Sequence, residues 1–460
     1  MKTIHFIYTF VLLSLCTLQA QNLNYTDLGV LYSQEQPMGT ARFTGLNGSM
    51  GAVGGDLSAI SVNPASSAVF NHSEVNITLG VHNYNNESSF YNTKTTNSSS
   101  LTSLDQLGGA FVFNDNSVNS GWHKVVLAVN YQVLHRFDKS DIYRGNSGYA
   151  TFAIHPNAPD DEIYTRVNDQ TFRNYYEGKH SALSLNLSGA YEDQLYFGGS
   201  LNFHSLDFQQ SSRLHELNLD NDDHLLDASL FYDNYQDADG FSIDLGFIYK
   251  PTKQIRLAAS FQSPTWFYNV DEDYFSIESY EPIDAKGLEY FETDPVNNFF
   301  QYQLNTPLKL TLSSAVIIGK GGFINIDYTY KSYQSLNLDG DDDFSLDNQY
   351  FSDVLQNTHN VTLGAEARLG LISLRGGLGY QQSPFQDDID ERLIDVLKIG
   401  ELYSGSLGIG ARFGNSKVDV SYRRTSQTNT YDFYDQSSEI ESTKIDNSNS
   451  RVGITYTYIF

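Results

Sequence analysis

The chain closes on ten residues, RVGITYTYIF, whose pattern leaves little room for anything except a β-strand. Val452, Ile454, Tyr456, Tyr458 and Phe460 alternate with Gly453, Thr455, Thr457 and Ile459. A period of two gives one apolar face and one small or polar face, the pattern of a half-buried strand. Upstream, the same alternation recurs. Glu74 to Tyr84 sets Val75, Ile77, Leu79 and Val81 against Asn76, Thr78, Gly80 and His82. His123 to His135 places Val125, Leu127, Val129, Tyr131 and Val133 on one face. Further segments run over 107–114, 181–191, 195–206, 241–250, 254–262, 308–316, 323–333, 359–368, 371–381, 405–413 and 417–425. With the closing segment the count is about fourteen.

A strand that ends the chain on an aromatic residue resembles the C-terminal signal of bacterial outer-membrane barrels. The N-terminus agrees with export. Lys2 precedes a mostly apolar run from Ile4 to Leu18, and Ala20 offers a small residue before Gln21. This reads as a signal peptide over 1–20, too short for a membrane-spanning helix. The one cysteine, Cys16, lies inside it; the bulky Leu15 before Cys16 argues against a lipoprotein site. The mature chain is therefore expected to lack disulfides and thiolate metal sites. No later stretch has the length and apolarity of a membrane helix. A chain that spans a membrane without such helices does so as a closed barrel, which satisfies its own backbone. Aromatic residues at 14% of the chain, with 32 Tyr and 29 Phe, fit that architecture. The fold expected is all-β: an antiparallel transmembrane barrel of about fourteen strands in the bacterial outer membrane.

Connection lengths set the orientation. Short turns at 192–194, 251–253, 319–322 and 414–416 alternate with long segments, and outer-membrane barrels keep short turns in the periplasm. Five long segments, 207–239, 265–305, 334–357, 383–401 and 429–449, hold 35 of the 55 acidic residues and five Lys or Arg. The net charge of −27 thus belongs mostly to the extracellular side and argues against a nucleic-acid partner. Hydration of exposed loops accounts for it, with cation binding beside lipopolysaccharide as the functional alternative. By contrast, Asp244, Arg256, Asp327, Lys331, Glu366, Arg368, Arg375, Arg412, Asp419 and Arg423 fall on inward strand positions. Charges at that density need a hydrated lumen or internal partners.

Between the signal peptide and the first strand lies a glycine-rich, non-strand segment, GTARFTGLNGSMGAVGGDLSAISVNPASSAVF, Gly39 to Phe70. It resembles the N-terminal hatch of the FadL/TodX family of outer-membrane transporters for hydrophobic compounds, closest in pattern to the Bacteroidetes type. Asn63, Pro64 and Ala65 match that family's NPA motif, and Gly54, Gly55 and Asp56 match the stretch before it. The resemblance implies a hatch over 21–73 inside a barrel over 74–460. It further implies capture of a hydrophobic ligand at extracellular loops, a lumen site beside the hatch, and lateral release where the third strand, here His123 to His135, is kinked. Burying about fifteen methylenes at ~0.8 kcal/mol each gives ~12 kcal/mol, enough for capture without an energy source.

Such a site asks for apolar lining. Asp223 to Tyr235 reads as a short amphipathic helix clustering Leu226, Leu230 and Phe231, with Phe299 and Phe300 in the following long segment. These five are the candidate ligand groove. Nucleophile, phosphate-loop and zinc motifs are absent. Asp339, Asp341 and Asp343 imitate the start of a calcium loop, but Phe344 and Tyr350 stand where Gly and Glu are required, which excludes an EF-hand and leaves an irregular calcium site as the weak metal candidate. Nine histidines outside the signal peptide and hatch show no paired ligand spacing. The expectation is a non-enzymatic, cofactor-free monomer taking a fatty-acid-like molecule and contacting outer-membrane lipid and lipopolysaccharide. Uptake of heme or aromatic hydrocarbons, a shuttle barrel of the type IX secretion kind, and an outer-membrane lipid hydrolase are the alternatives.

Overall fold

The computed structural model describes residues 22–114, 121–158, 163–283, 287–389, 393–434 and 440–460. The signal-peptide reading, Cys16 included, lies outside the described residues.

The closing strand pairs with the first. Glu74 lies opposite Ile459 in an antiparallel ladder, and the Phe460 N–H donates to the Ser73 carbonyl at 2.9 Å. Fourteen strands follow one another around the ring. They are β1 (Glu74–Phe90), β2 (Thr93–Asn114), β3 (Trp122–Arg136, continuing as Lys139–Gly145), β4 (Arg166–Tyr191) and β5 (Leu195–Leu219). Next come β6 (Leu225–Tyr249), β7 (Ile255–Gln262, continuing as Trp266–Ile283), β8 (Val296–Asn305, continuing as Lys309–Ile317) and β9 (Gly322–Lys331). The ring ends with β10 (Thr358–Leu369), β11 (Ile372–Gln381), β12 (Leu402–Phe413), β13 (Ser416–Tyr431) and β14 (Thr443–Ile459). Each neighbour pairs antiparallel, and β14 against β1 closes the sheet into a ring.

The outer face carries the apolar half of each alternation. Val75, Ile77, Leu79, Leu127, Leu187, Leu245, Leu312, Ile326 and Ile454 are all exposed there. A belt of that kind on a closed barrel is a lipid-facing surface, and the molecule is an outer-membrane barrel. Tyr249, Phe413, Tyr458 and Phe460 ring the short-turn rim, while Tyr328 and Tyr403 stand at the opposite level. Among the described residues no helix is long and apolar enough to cross a membrane.

The strands run far beyond the belt. β5 and β6 stay in register out to Leu219 opposite Leu225, and β6 and β7 pair out to Leu225 opposite Ile283. Segments 207–239 and 265–305 are therefore mostly ladder, not loop. The amphipathic helix expected over Asp223 to Tyr235 is a strand, which corrects that reading. Leu226 and Leu230 are four apart, a spacing shared by one helical turn and two strand repeats. Ala228, Tyr232 and Asn234 are buried between and after them, so the period is two.

Candidate functional site

Residues 22–70 fill the barrel from within, and the sequence shows how each part is held. At the short-turn end, Asn63 accepts the Ala65 N–H at 3.0 Å and caps a 3-10 turn, Pro64–Val69, that begins with proline. Its amide also donates to the carbonyls of Gly51 at 3.0 Å and Phe247 at 3.1 Å, tying the turn to β6. Close approach requires glycine in the wall: a Cβ on Gly198 would fall on the Pro64 carbonyl, and one on Gly246 on the Asn63 side chain. Gly54 and Gly55 have φ of 64° and 67°, turning the chain into Asp56. Asp56 accepts from Thr40 at 2.8 and 2.9 Å and from the Ser58 N–H at 3.0 Å.

The inward charges find partners on this plug. Glu366 receives Arg42 at 3.0 Å and Arg375 at 2.8 Å, and Arg375 reaches Asp419 at 2.6 Å. Arg256 donates to the Val53 carbonyl at 2.6 Å, and Asp327 accepts the Gly51 N–H at 3.3 Å.

The extracellular half of the interior holds a large apolar cluster, with polar side chains such as Glu216 and Gln236 buried among it. Helix α1 (Tyr25–Tyr32), closed at its start by a capping box between Asn24 and Asp27, places Leu28, Val30 and Tyr32 in a large buried cluster. Phe172 and Phe433 stack at 4.9 Å in that cluster with Tyr143 and Tyr431 against them, and Phe208 packs on Tyr32. Polar anchors for α1 are few. Tyr32 donates to Gln236 at 2.7 Å, Thr26 meets Asp395, and Asp27 accepts from the Leu397 N–H at 2.9 Å. Burial, reinforced by Asp395, pushes the Asp27 carboxyl up to about 7.

Beneath α1 lies a cavity of about 180 Å³ lined mostly by polar residues, with Phe43, Val62 and Leu134 among them, where the sequence led us to expect an apolar lining. Glu35 pairs with Lys309 at 2.6 Å, and Lys331 donates to the Ser33 carbonyl. Burial alone would raise the Glu35 carboxyl, but Lys309 and Lys331 hold it well below the usual range. His180 and His204 share a hydrogen bond of 2.9 Å, and Asp244 accepts from Asn202 at 2.8 Å.

The wall itself parts on one side. The ladder between β2 and β3 covers Gln106–Asn114 and Lys124–Gln132. Beyond it β2 pairs only with β1 and β3 only with β4, among the described residues. A register shift between Val133 and His135 starts the departure, and the continuation Lys139–Gly145 bends onto the inner face of β1, where Ser88 donates to the Ile142 carbonyl at 2.6 Å.

The five groove candidates do not form one surface. Leu226 and Leu230 join the buried cluster beside α1. Phe231 faces outward, edge-on to Phe275 at 6.0 Å, and Phe299 is exposed with Phe300 half-buried beside it. The residues that sequence reasoning passed over are those of α1 and the aromatic cluster, because they are contributed singly by many strands. Asp339 and Asp343 cap local turns through Gly340 N–H at 2.9 Å and Ser345 N–H at 3.0 Å. Among the described residues the metal-type ligands that converge are instead Asp220, Asp222 and His224, within 4.8 Å of one another.

No family model matches the sequence, and no curated protein does. Solved structures match over nearly the whole chain. A FadL homologue of Pseudomonas aeruginosa superposes with a TM-score of 0.55 at 14% identity, covering 92% of this chain and 99% of that one. The toluene transporter TodX of P. putida gives 0.57 at 13% identity, over 93% and 99%. The toluene transporter TbuX of Ralstonia pickettii gives 0.52 at 13%, over 92% and 99%. The likeness establishes the fold, a fourteen-stranded barrel of the FadL and TodX kind.

Proposed function

We propose that this chain is a passive outer-membrane channel for amphiphilic hydrophobic compounds, with long-chain fatty acids as the leading substrate. The observation that carries the reading is the occupant of the aromatic chamber. The chain's own α1 fills it with Leu28, Val30 and Tyr32, and Glu35 follows directly, paired with Lys309. An apolar body joined to a carboxylate is the outline of a fatty acid. A substrate that displaces residues 22–35 would exchange its tail for α1 and its carboxylate for Glu35. Tail burial at ~0.8 kcal/mol per methylene drives that exchange.

In this reading residues 21–73 act as the hatch, with Gly54, Gly55, Asp56, Asn63, Pro64 and Ala65 holding it to the wall. Leu226 and Leu230 line the chamber, and Phe231, Phe299 and Phe300 serve the outer approach. Release goes sideways through the gap between β2 and β3. That the FadL-type neighbours include two toluene transporters supports hydrophobic cargo and keeps hydrocarbons as the second class.

The test is uptake of radiolabelled oleate and toluene by cells expressing the protein or a variant lacking residues 22–33. Uptake above an empty-vector control that changes on removing α1 supports the reading. Uptake of neither compound above the control overturns it.

A further inference from the structure

We propose that the barrel holds a small monovalent anion, chloride-sized, in a second cavity where the N-terminal segment meets β1, β3 and β13. The cavity is about 30 Å³ and is lined by Gln36, His82, Tyr84, Arg136, Arg423 and Arg451, among others. Arg423 and Arg451 lie directly opposite one another on β13 and β14, and both are buried. Arg451 is neutralised: it reaches Asp105 at 2.6 and 2.8 Å, and His82 meets the same carboxylate at 3.0 Å.

Arg423 has no such partner. Its hydrogen bonds go to neutral acceptors, the Asn47 side chain at 2.9 Å and the Gln36 side chain at 3.3 Å. Its Nη2 is buried without a partner. Two more lining residues repeat the deficit, since Arg136 Nε and the Tyr84 hydroxyl are buried and unpartnered as well. Arg136 spends its charge on Asp138 at 3.0 Å, which leaves the Arg423 guanidinium uncompensated.

A buried, unpaired cation beside a like charge is strongly disfavoured, and an anion restores the balance. Water would fit the volume, but it brings no charge. The small volume favours a halide over an anion that carries a full oxygen shell, such as phosphate or sulfate. A halide fits, and so does a carboxylate whose neighbouring carbon is an unsubstituted methyl or methylene. The site does not depend on which compound the channel carries. Its consequence is mechanical: the anion links Gln36 of the plug to β13 and to β3 where that strand leaves the wall.

The experiment is thermal unfolding of the purified full chain in mild detergent at constant ionic strength, in chloride, in acetate and in the larger gluconate. Oleate added to the gluconate sample separates a ligand's carboxylate from a free ion. We expect the midpoint to rise by a few degrees in chloride or acetate over gluconate, and the rise to vanish in Arg423→Gln. In gluconate, Arg423→Gln should unfold no lower than wild type, because it removes an uncompensated charge. Should that variant fail to fold, Tyr84→Phe, which removes one donor, should shrink the chloride effect. A rise with oleate alone assigns the site to a ligand carboxylate and refutes the free ion. Anion-independent unfolding of wild type, or the same anion response in both variants, overturns the site altogether.

Discussion

At the scale of single residues, the plug and the wall are matched by positions that admit one side chain and no other. Gly198 and Gly246 have no room for a Cβ because Pro64 and Asn63 pack onto their backbones. Gly198→Ala is expected to cost about 1–3 kcal/mol of plug docking while the ladders on either side persist. Single-channel recording in planar bilayers should then show a higher conductance than wild type; an unchanged conductance would mean that the plug tolerates displacement. Asp27 gives a pH dependence. Its carboxyl rises from 3.8 to about 7 on docking, so the docked helix holds a proton that the released helix gives up. The associated stability is complete below about pH 4 and is lost as the pH climbs through about 7. The protection factor of residues 25–32, with intrinsic exchange divided out, should fall about tenfold or more between pH 5 and pH 8, and Asp27→Asn should flatten the profile. A profile that stays steep in the variant would place the titrating group elsewhere.

Among the elements, α1 and the break between β2 and β3 carry the functional argument. α1 is short, so it owes its helicity to the chamber around it rather than to its own propensity. A ligand therefore competes with tertiary packing and not with a stable isolated helix. Glu35→Gln removes the carboxylate that occupies Lys309, and the expected result is oleate binding about tenfold tighter with hydrocarbon binding unchanged. Equal effects on both ligands would detach Lys309 from head-group recognition. The element that sequence reasoning misread, Asp223 to Tyr235, failed for an identifiable reason. Leu226 and Leu230 satisfy both periods, and the acidic outward positions Asp227, Asp233 and Asp237 resemble a solvated helix face as much as a strand extended into water.

For the molecule as a whole, charge and turn length define two ends. Each thiol introduced by Asp222→Cys, at the β5–β6 tip, and Lys320→Cys, at the β8–β9 turn, tests the orientation. A membrane-impermeant maleimide should label position 222 in intact cells, and position 320 only after the outer membrane is permeabilised. The reverse pattern would turn the barrel over. The number of strands, their order and the ring they close were legible in the sequence because alternation is a local signal, repeated wherever one face meets lipid. The terminal strand marked its own role, since Val452 to Phe460 turn an apolar face to lipid while their backbone pairs with β1 and closes the ring. The glycines and Asn63-Pro64 of the plug were legible as motifs, but not the contacts they make. Those contacts, the aromatic chamber, the polar cavity around Glu35 and the unpaired Arg423 were decided only by the tertiary structure. Each draws one or two side chains from strands far apart in the chain, and no local period records which of them will meet across a lumen.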